Sequence, residues 1–172
     1  MLSKRIKGRN SRKELPLNQH EYFSDIICKK IHKFIKEKDV VMLYNAIDGE
    51  VDVSKISKIS NKTFLYPRVE GDCIVPVVGK TFRKGAYGIQ EPVGEVYCKK
   101  IDVVIVPMCA FDENCNRLGF GKGYYDRFLS TNSCLKIGVA FSCQKTDGIE
   151  SKDTDVKMDY IITEKYMLEC LE

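Results

Sequence analysis

Residues 101–107, Ile-Asp-Val-Val-Ile-Val-Pro, restrict the fold more than any other stretch of this 172-residue chain. Valine and isoleucine favour extended backbone. Here they stand at consecutive rather than alternate positions, so the strand has no solvent face and must be covered on both sides. Strands of that kind belong to parallel sheets flanked by helices. Other strand-length runs agree: "VVMLYNA" at 40–46, "TFLYPRV" at 63–69, "LKIGVAF" at 135–141 and "MDYIITE" at 158–164. "CIVPVV" at 73–78 is a shorter strand that Pro76 keeps near an edge. Apolar residues at Tyr22, Ile26, Ile27, Ile31, Phe34 and Ile35 recur at helical spacing and predict a helix from near Pro16 to Lys38. Short helices are predicted in 51–60 and from Tyr124 onward, and a proline- and glycine-punctuated loop at 91–100. Helices alternating with buried strands predict an α/β fold: a single domain over 1–172, with a largely parallel central sheet and helices on both faces. Ligands of such sheets sit beyond the C-terminal ends of the strands. The loop from Met108 to Gly123 leaves the strongest strand at that end.

Charge and cysteine usage narrow the function classes. The net charge is +4, but residues 4–13 alone carry Lys4, Arg5, Lys7, Arg9, Arg12 and Lys13, leaving 22 basic against 24 acidic residues elsewhere. A local basic segment of this kind suits an anion such as a nucleotide, a polyanionic cofactor or nucleic acid; its alternative is a solvated helix end. The eight cysteines are scattered singly without a Cys-x-x-Cys, so they are expected to be reduced, mostly buried apolar residues. The two histidines, His20 and His32, share one predicted helix, which argues against a zinc site. No apolar run approaches the roughly 20 residues that cross a bilayer, and the N-terminus lacks an apolar leader, so a cytoplasmic protein without membrane association is expected.

"RLGFGKGYYDRF", residues 117–128, sets three alternate glycines beside basic and aromatic residues. It is neither a Walker A loop nor a dinucleotide fingerprint: Gly119 and Gly121 fit the latter, but Tyr124 takes the third glycine's place. The "GKT" at 79–81 lacks the first Walker glycine, whose place is Ile74. Alternate glycines can nevertheless aim backbone N–H groups at a phosphate. Lys122 adds a mobile charge, Arg117 a bidentate donor, and a helix starting near Tyr124 its positive end. A carboxylate at Asp126, so close to a phosphate, implies an intervening cation such as Mg²⁺. The plainer reading is a tight strand-to-helix turn, with Asp126 as an acid at the helix terminus.

The stretch "IDVVIVPMCAFDENCNRLGFGKGYYDRFL" resembles the signature region of the 5-formyltetrahydrofolate cyclo-ligase family. In family order, "VVMLYNAIDGEVDVSKI", "FLYPRVEGD", "GAYGIQEP" and "DVKMDYIITE" are similar to its other segments, so the resemblance covers most of the chain. It implies an enzyme that uses ATP and Mg²⁺ to convert 5-formyltetrahydrofolate to 5,10-methenyltetrahydrofolate, releasing ADP and phosphate. ATP would phosphorylate the formyl oxygen, and N10 of the folate would then attack the activated carbon. No protein nucleophile is needed, and the protein contributes positioning and charge stabilisation.

Residue by residue, the resemblance implies ATP contacts at Lys4, Arg5, Arg117, Leu118, Gly119, Phe120, Gly121, Lys122, Gly123, Tyr124 and Tyr125. Lys122, Arg117 and Tyr124 carry the catalytic roles, with Lys122 facing the transferring phosphoryl group. Folate contacts are implied at Arg5, Asn45, Glu50, Tyr87, Phe120, Gly121, Lys122, Gly123 and Tyr124; Glu50 would pair the pterin N–H groups and Tyr87 stack on a ring. Asp126 and Asp155 are the implied Mg²⁺ ligands. Arg5 takes the arginine place of the family's N-terminal Lys-x-x-x-Arg element, whose lysine place falls on Met1, with Lys4 as substitute. Phe120 stands where many members have arginine, and Cys115 where a turn glycine is common. Residues 1–15 would close on the nucleotide site of a monomer that binds neither nucleic acid nor membrane. The competing readings are another ATP- or phosphate-handling ligase on this scaffold, a basic-arm nucleic-acid-binding module, and a folate-binding protein without turnover. The basic arm contains no aromatic residue, which weakens the nucleic-acid reading for single strands.

Overall fold

The computed structural model describes residues 1–36, 39–85 and 88–170. Among them the chain runs α1 (Leu2–Lys13), α2 (Leu17–His32), β1 (Val40–Met42), β2 (Thr63–Glu70), β3 (Cys73–Val78), β4 (Phe82–Lys84), β5 (Gln90–Pro92), β6 (Val103–Pro107), β7 (Ala110–Phe111), β8 (Arg117–Leu118), α3 (Tyr124–Ser130), β9 (Leu135–Val139), β10 (Tyr160–Ile162) and β11 (Met167–Glu169). Seven strands form the main sheet in the order β11-β10-β9-β6-β1-β2-β3. β10, β9, β6, β1 and β2 are parallel, and an antiparallel strand closes each edge. Pro76 lies in the edge strand β3, as its missing N–H requires.

The buried strand β6 sits at the centre, with Val103 to Val106 all inaccessible. Its odd residues join Val41, Leu43, Ile137 and Val139 in one core, against Ile27 and Ile31 of α2. Its even residues join Met42, Ile161 and the α3 residues Phe128 and Leu129 in the other. The period-2 alternation of a strand therefore places α2 and α3 on opposite faces.

From β1 the chain adds β2 and β3 on one side, then crosses to β6, β9 and β10 on the other. The strand order thus reverses between β1 and β6. A crevice opens there, beyond their C-terminal ends.

Several expectations need correction. The predicted helix at 16–38 stops at His32; Lys33 and Phe34 form a turn, and the Asp39 carboxylate accepts the Lys36 N–H (2.7 Å), turning the chain into β1. Lys38 lies outside the described residues, and Tyr22 projects to solvent instead of joining the core. The predicted strand at 40–46 is regular only to Met42, and the short helix within 51–60 is a 3-10 turn, Ser54–Lys58. The basic N-terminal segment is a docked helix rather than a solvated end. A side chain at Gly8 would meet the carbonyl oxygen of Cys109 at 2.1 Å, so glycine permits α1 to lie directly on the backbone beyond β6. The cysteines are not all reduced: Cys115 and Cys170 form a disulfide, because the antiparallel return of β11 carries Cys170 back to the loop between β7 and β8. Cys115 has φ 56°, the left-handed conformation of a turn glycine.

Candidate active site

Two cavities occupy the crevice. The larger is a cleft of about 1030 Å³ walled on one side by residues 117–127, on another by β2 and β3, and rimmed by residues 152–156. The smaller, about 530 Å³, is formed by residues 44–50, His20 and Gln90. Ile47 lines both.

The loop after β8 is held from below. Asp112, fully buried, accepts from the N–H groups of Asn114, Asn116 and Ile149 and from the Asn116 side-chain amide. That fixes the turn before β8. Gly121 (φ 96°) and Gly123 (φ 69°) then take conformations that other residues rarely adopt. The N–H groups of Phe120, Gly121, Lys122 and Gly123 have no acceptor among the described residues. A short loop with unpaired donors is a concave anion receptor.

The cations around that loop differ in mobility. The Arg117 side chain is buried, and one guanidinium nitrogen bonds Asp126 Oδ1 at 2.7 Å while its Nε has no partner among the described residues. Desolvation lowers its pKa, opposed by the charge of Asp126. Arg5 reaches from α1 to the Gly119 carbonyl (2.9 Å) and lies against Gly121. Lys122 is exposed and makes no ion pair among the described residues. Arg127 stacks over Tyr124 (5.5 Å) and donates to the Lys122 carbonyl (2.8 Å), bracing the loop's end. α3 has only seven residues, so the loop's own donors and cations carry more of the positive potential than the helix dipole predicted from sequence.

Asp126 and Asp155 both line the cleft. Asp126 Oδ1 accepts from Arg117 and from the Val156 N–H (3.1 Å), and Asp155 Oδ2 from the Lys152 N–H (2.9 Å). The second oxygen of each has no protein donor among the described residues. No group of three or more His, Cys, Asp or Glu capable of holding a metal occurs among those residues. The pair therefore offers no protein cage, but it fits an ion such as Mg²⁺, which takes one or two carboxylates and completes its shell with water and substrate phosphates.

The smaller cavity has the opposite character. Glu50 is buried, and burial pushes its carboxyl up to about 7 against the opposing Ile47 N–H (3.1 Å) and Arg12 charge (3.9 Å). Partial burial also pushes Asp48 up, but hydrogen bonds from Arg9 and Lys13 and the nearby Arg12 outweigh it and hold Asp48 at about 2. Arg12 is wholly buried; it donates to the carbonyls of Asp48 (2.8 Å) and Met108 (3.0 Å), tying the 45–50 turn to the end of β6. Asn45 donates to the Gln90 carbonyl at 2.6 Å.

The structure brings Arg5, residues 117–126 and Asp155 together on the large cleft, including Leu118, Tyr124 and Tyr125. It places Asn45 and Glu50 in the adjoining cavity. Lys4 lines neither; its ammonium bonds the Asp147 and Gly148 carbonyls. Tyr87 lies outside the described residues. Sequence reasoning missed the pairing of Arg12 and Asp48, which were read as part of an anion-binding basic segment and as a polar turn residue, and it missed Glu91. Glu91 is buried on the cleft wall and accepts the Val69 N–H at 3.1 Å. Its position directly before a proline at the end of β5 was the available signal.

Comparisons with known proteins point to one family. Residues 6–164 match the model of the 5-formyltetrahydrofolate cyclo-ligase family. A 5-formyltetrahydrofolate cyclo-ligase of Mycoplasma pneumoniae is 32% identical over 151 residues, covering 81% of this chain and 83% of that protein. The NMR structure of Aquifex aeolicus 5,10-methenyltetrahydrofolate synthetase superposes with a TM-score of 0.84 at 34% identity, covering 99% of this chain and 92% of the other. A 5,10-methenyltetrahydrofolate synthetase structure from Mycoplasma pneumoniae gives 0.76 at 28% identity, covering 94% and 97%.

Proposed function

Since the chain belongs to the 5-formyltetrahydrofolate cyclo-ligase family, we propose that it converts 5-formyltetrahydrofolate to 5,10-methenyltetrahydrofolate with ATP as the phosphoryl donor. The observation that carries the ATP site is the run of unpaired N–H groups at 120–123, flanked by Arg5, Arg117 and Lys122 on a cleft that adjoins the Glu50 cavity. The triphosphate lies along the loop. Its γ-phosphoryl group passes to the formyl oxygen, and ADP leaves. N10 attacks the activated carbon and loses its proton, and the phosphorylated oxygen departs as phosphate.

Each residue's part follows from its setting. Lys122, exposed and mobile, follows the charge on the transferring phosphoryl oxygens. Arg117 orients Asp126 and faces the phosphates from below. Asp126 and Asp155 would hold Mg²⁺, which would supply neutralisation of the phosphate charge. Tyr124, braced by Arg127, forms the wall between nucleotide and folate. Glu50 accepts the pterin N–H groups once ionised, and Asn45 lines the same cavity. A single domain over 1–172, with residues 1–15 closing on the nucleotide, fits the docking of α1 on this site. Five of the six basic side chains in 4–13 bind inside the protein, which disfavours a nucleic-acid arm. The reading is of a cytoplasmic monomer; no described helix is long and apolar enough to cross a membrane.

The test is absorbance at the methenyl-folate band with purified protein, 5-formyltetrahydrofolate and Mg²⁺, with and without ATP. ATP-dependent growth of that band is expected. No growth from folded protein that still binds ATP would move the assignment to another ligase substrate.

A further inference from the structure

The side chain at 120 is the one feature of the glycine loop that a phosphate receptor does not call for. Phe120 is 48% exposed on the wall of the large cleft. Its ring faces two guanidinium groups of α1, Arg9 at 5.1 Å and Arg12 at 5.9 Å from the centroid. Both arginines are committed on their other side. Arg9 Nε bonds Asp48 Oδ2 at 2.6 Å, and Arg12 bonds the same carboxylate at 3.2 Å and approaches Glu50. A continuous stack therefore runs from the nucleotide loop, through Phe120 and Arg9, to the turn that presents Glu50. It contacts both cavities, yet Arg9 lines neither of them.

We propose that the Phe120–Arg9 contact couples the two cavities, so that a nucleotide seated on the 119–123 loop tightens folate binding at Glu50. A ligand filling the cleft covers the exposed ring. Cation–π attraction strengthens when the pair is removed from water. The better-held Arg9 in turn fixes Asp48, and with it the 45–50 backbone whose Ile47 N–H orients Glu50. By linkage, folate tightens nucleotide binding by the same factor. Phe120 and Arg9 are positioning residues in this scheme.

The inference rests on the site assignment above, and the experiment separates the two. Titration calorimetry measures 5-formyltetrahydrofolate affinity with and without Mg²⁺ and a non-hydrolysable ATP analogue. The proteins compared are the native chain, Arg9→Met, Phe120→Leu, the double variant, Phe120→Tyr and Glu50→Gln. Arg9 is 38% exposed, so its replacement leaves the core intact, and thermal melts check folding. In the native protein the analogue is expected to tighten folate binding by about fivefold or more. Each single variant should reduce that factor below about twofold, the double variant should lose no more than either single one, and Phe120→Tyr should restore it. A native factor within twofold with both ligands bound overturns the coupling. So does a factor that survives in Arg9→Met, or single effects that simply multiply. If the analogue does not bind, or Glu50→Gln leaves folate affinity unchanged, the site assignment itself is wrong and the coupling falls with it.

Discussion

The loop at 119–123, reached from β6 through the β7–β8 hairpin, and the turn at 45–50, which follows the adjacent parallel strand β1, stand side by side in one crevice, yet they solve opposite electrostatic problems. The loop keeps donors and an exposed lysine without partners among the described residues. The turn gathers three cations around Asp48 and buries Glu50 until it holds its proton near neutrality. A positive receptor with free donors suits a highly charged ligand that brings its own counter-charge. A pocket whose charges are already paired with one another suits a flat ligand read by a few hydrogen bonds. With the function proposed above, the contrast assigns stability to the turn and reactivity to the loop.

The sharpest way to break this contrast is Arg12→Met. It strips the buried turn of its innermost cation and leaves the Asp48 carbonyl without a donor, while the Met108 carbonyl keeps Gln144 (2.8 Å). Urea unfolding should show a loss on the order of 3–5 kcal/mol, whereas Lys122→Met should change stability by under about 0.5 kcal/mol. Equal effects would erase the distinction. Lys122→Ala reverses the ranking. Its turnover should fall about 100- to 1000-fold, with folate affinity within about threefold; an unaltered kcat would remove this lysine from phosphoryl transfer.

The smallest of these effects is a pH dependence confined to the turn. Glu50 titrates near 7 in the folded protein against an ordinary value of 4.5. The native state therefore keeps a proton that the unfolded chain releases. Its stabilisation is full below pH 4.5 and is lost as pH rises through 7, on the order of 3 kcal/mol in the ligand-free protein. Glu50→Gln should flatten that slope in denaturation midpoints recorded from pH 4.5 to 8. A slope that persists in the variant would assign it to another group.

Much of this was legible along the chain because it depends on local pattern. The consecutive Val and Ile residues of 103–106 required a doubly covered strand, and "YYDRFLS" after Gly123 gave the start of α3. The predicted helix at 16–38 ran long because Phe34 and Ile35 keep helical spacing while packing on the core from an irregular turn. The basic arm read as an anion-binding segment throughout, and the structural part of Arg12 went unseen, because nothing near it in sequence indicates that Asp48, Glu50 and Met108 would surround it. The cysteines read as reduced because Cys115 and Cys170 are 55 residues apart and meet only through the return of β11.

Sequence by itself determined the α/β class, the central strand, the glycine loop and the family, since periodicity, glycine placement and motif order are all written within short windows. Tertiary structure alone decided that two cavities adjoin, that α1 lines the larger through Arg5 and braces the turn beside the smaller through Arg9, Arg12 and Lys13, and that Arg12 is buried with Asp48. Those outcomes depend on which charges meet across the reversal of strand order between β1 and β6. The balance between desolvating a charge and pairing it is settled only when the partners are in place.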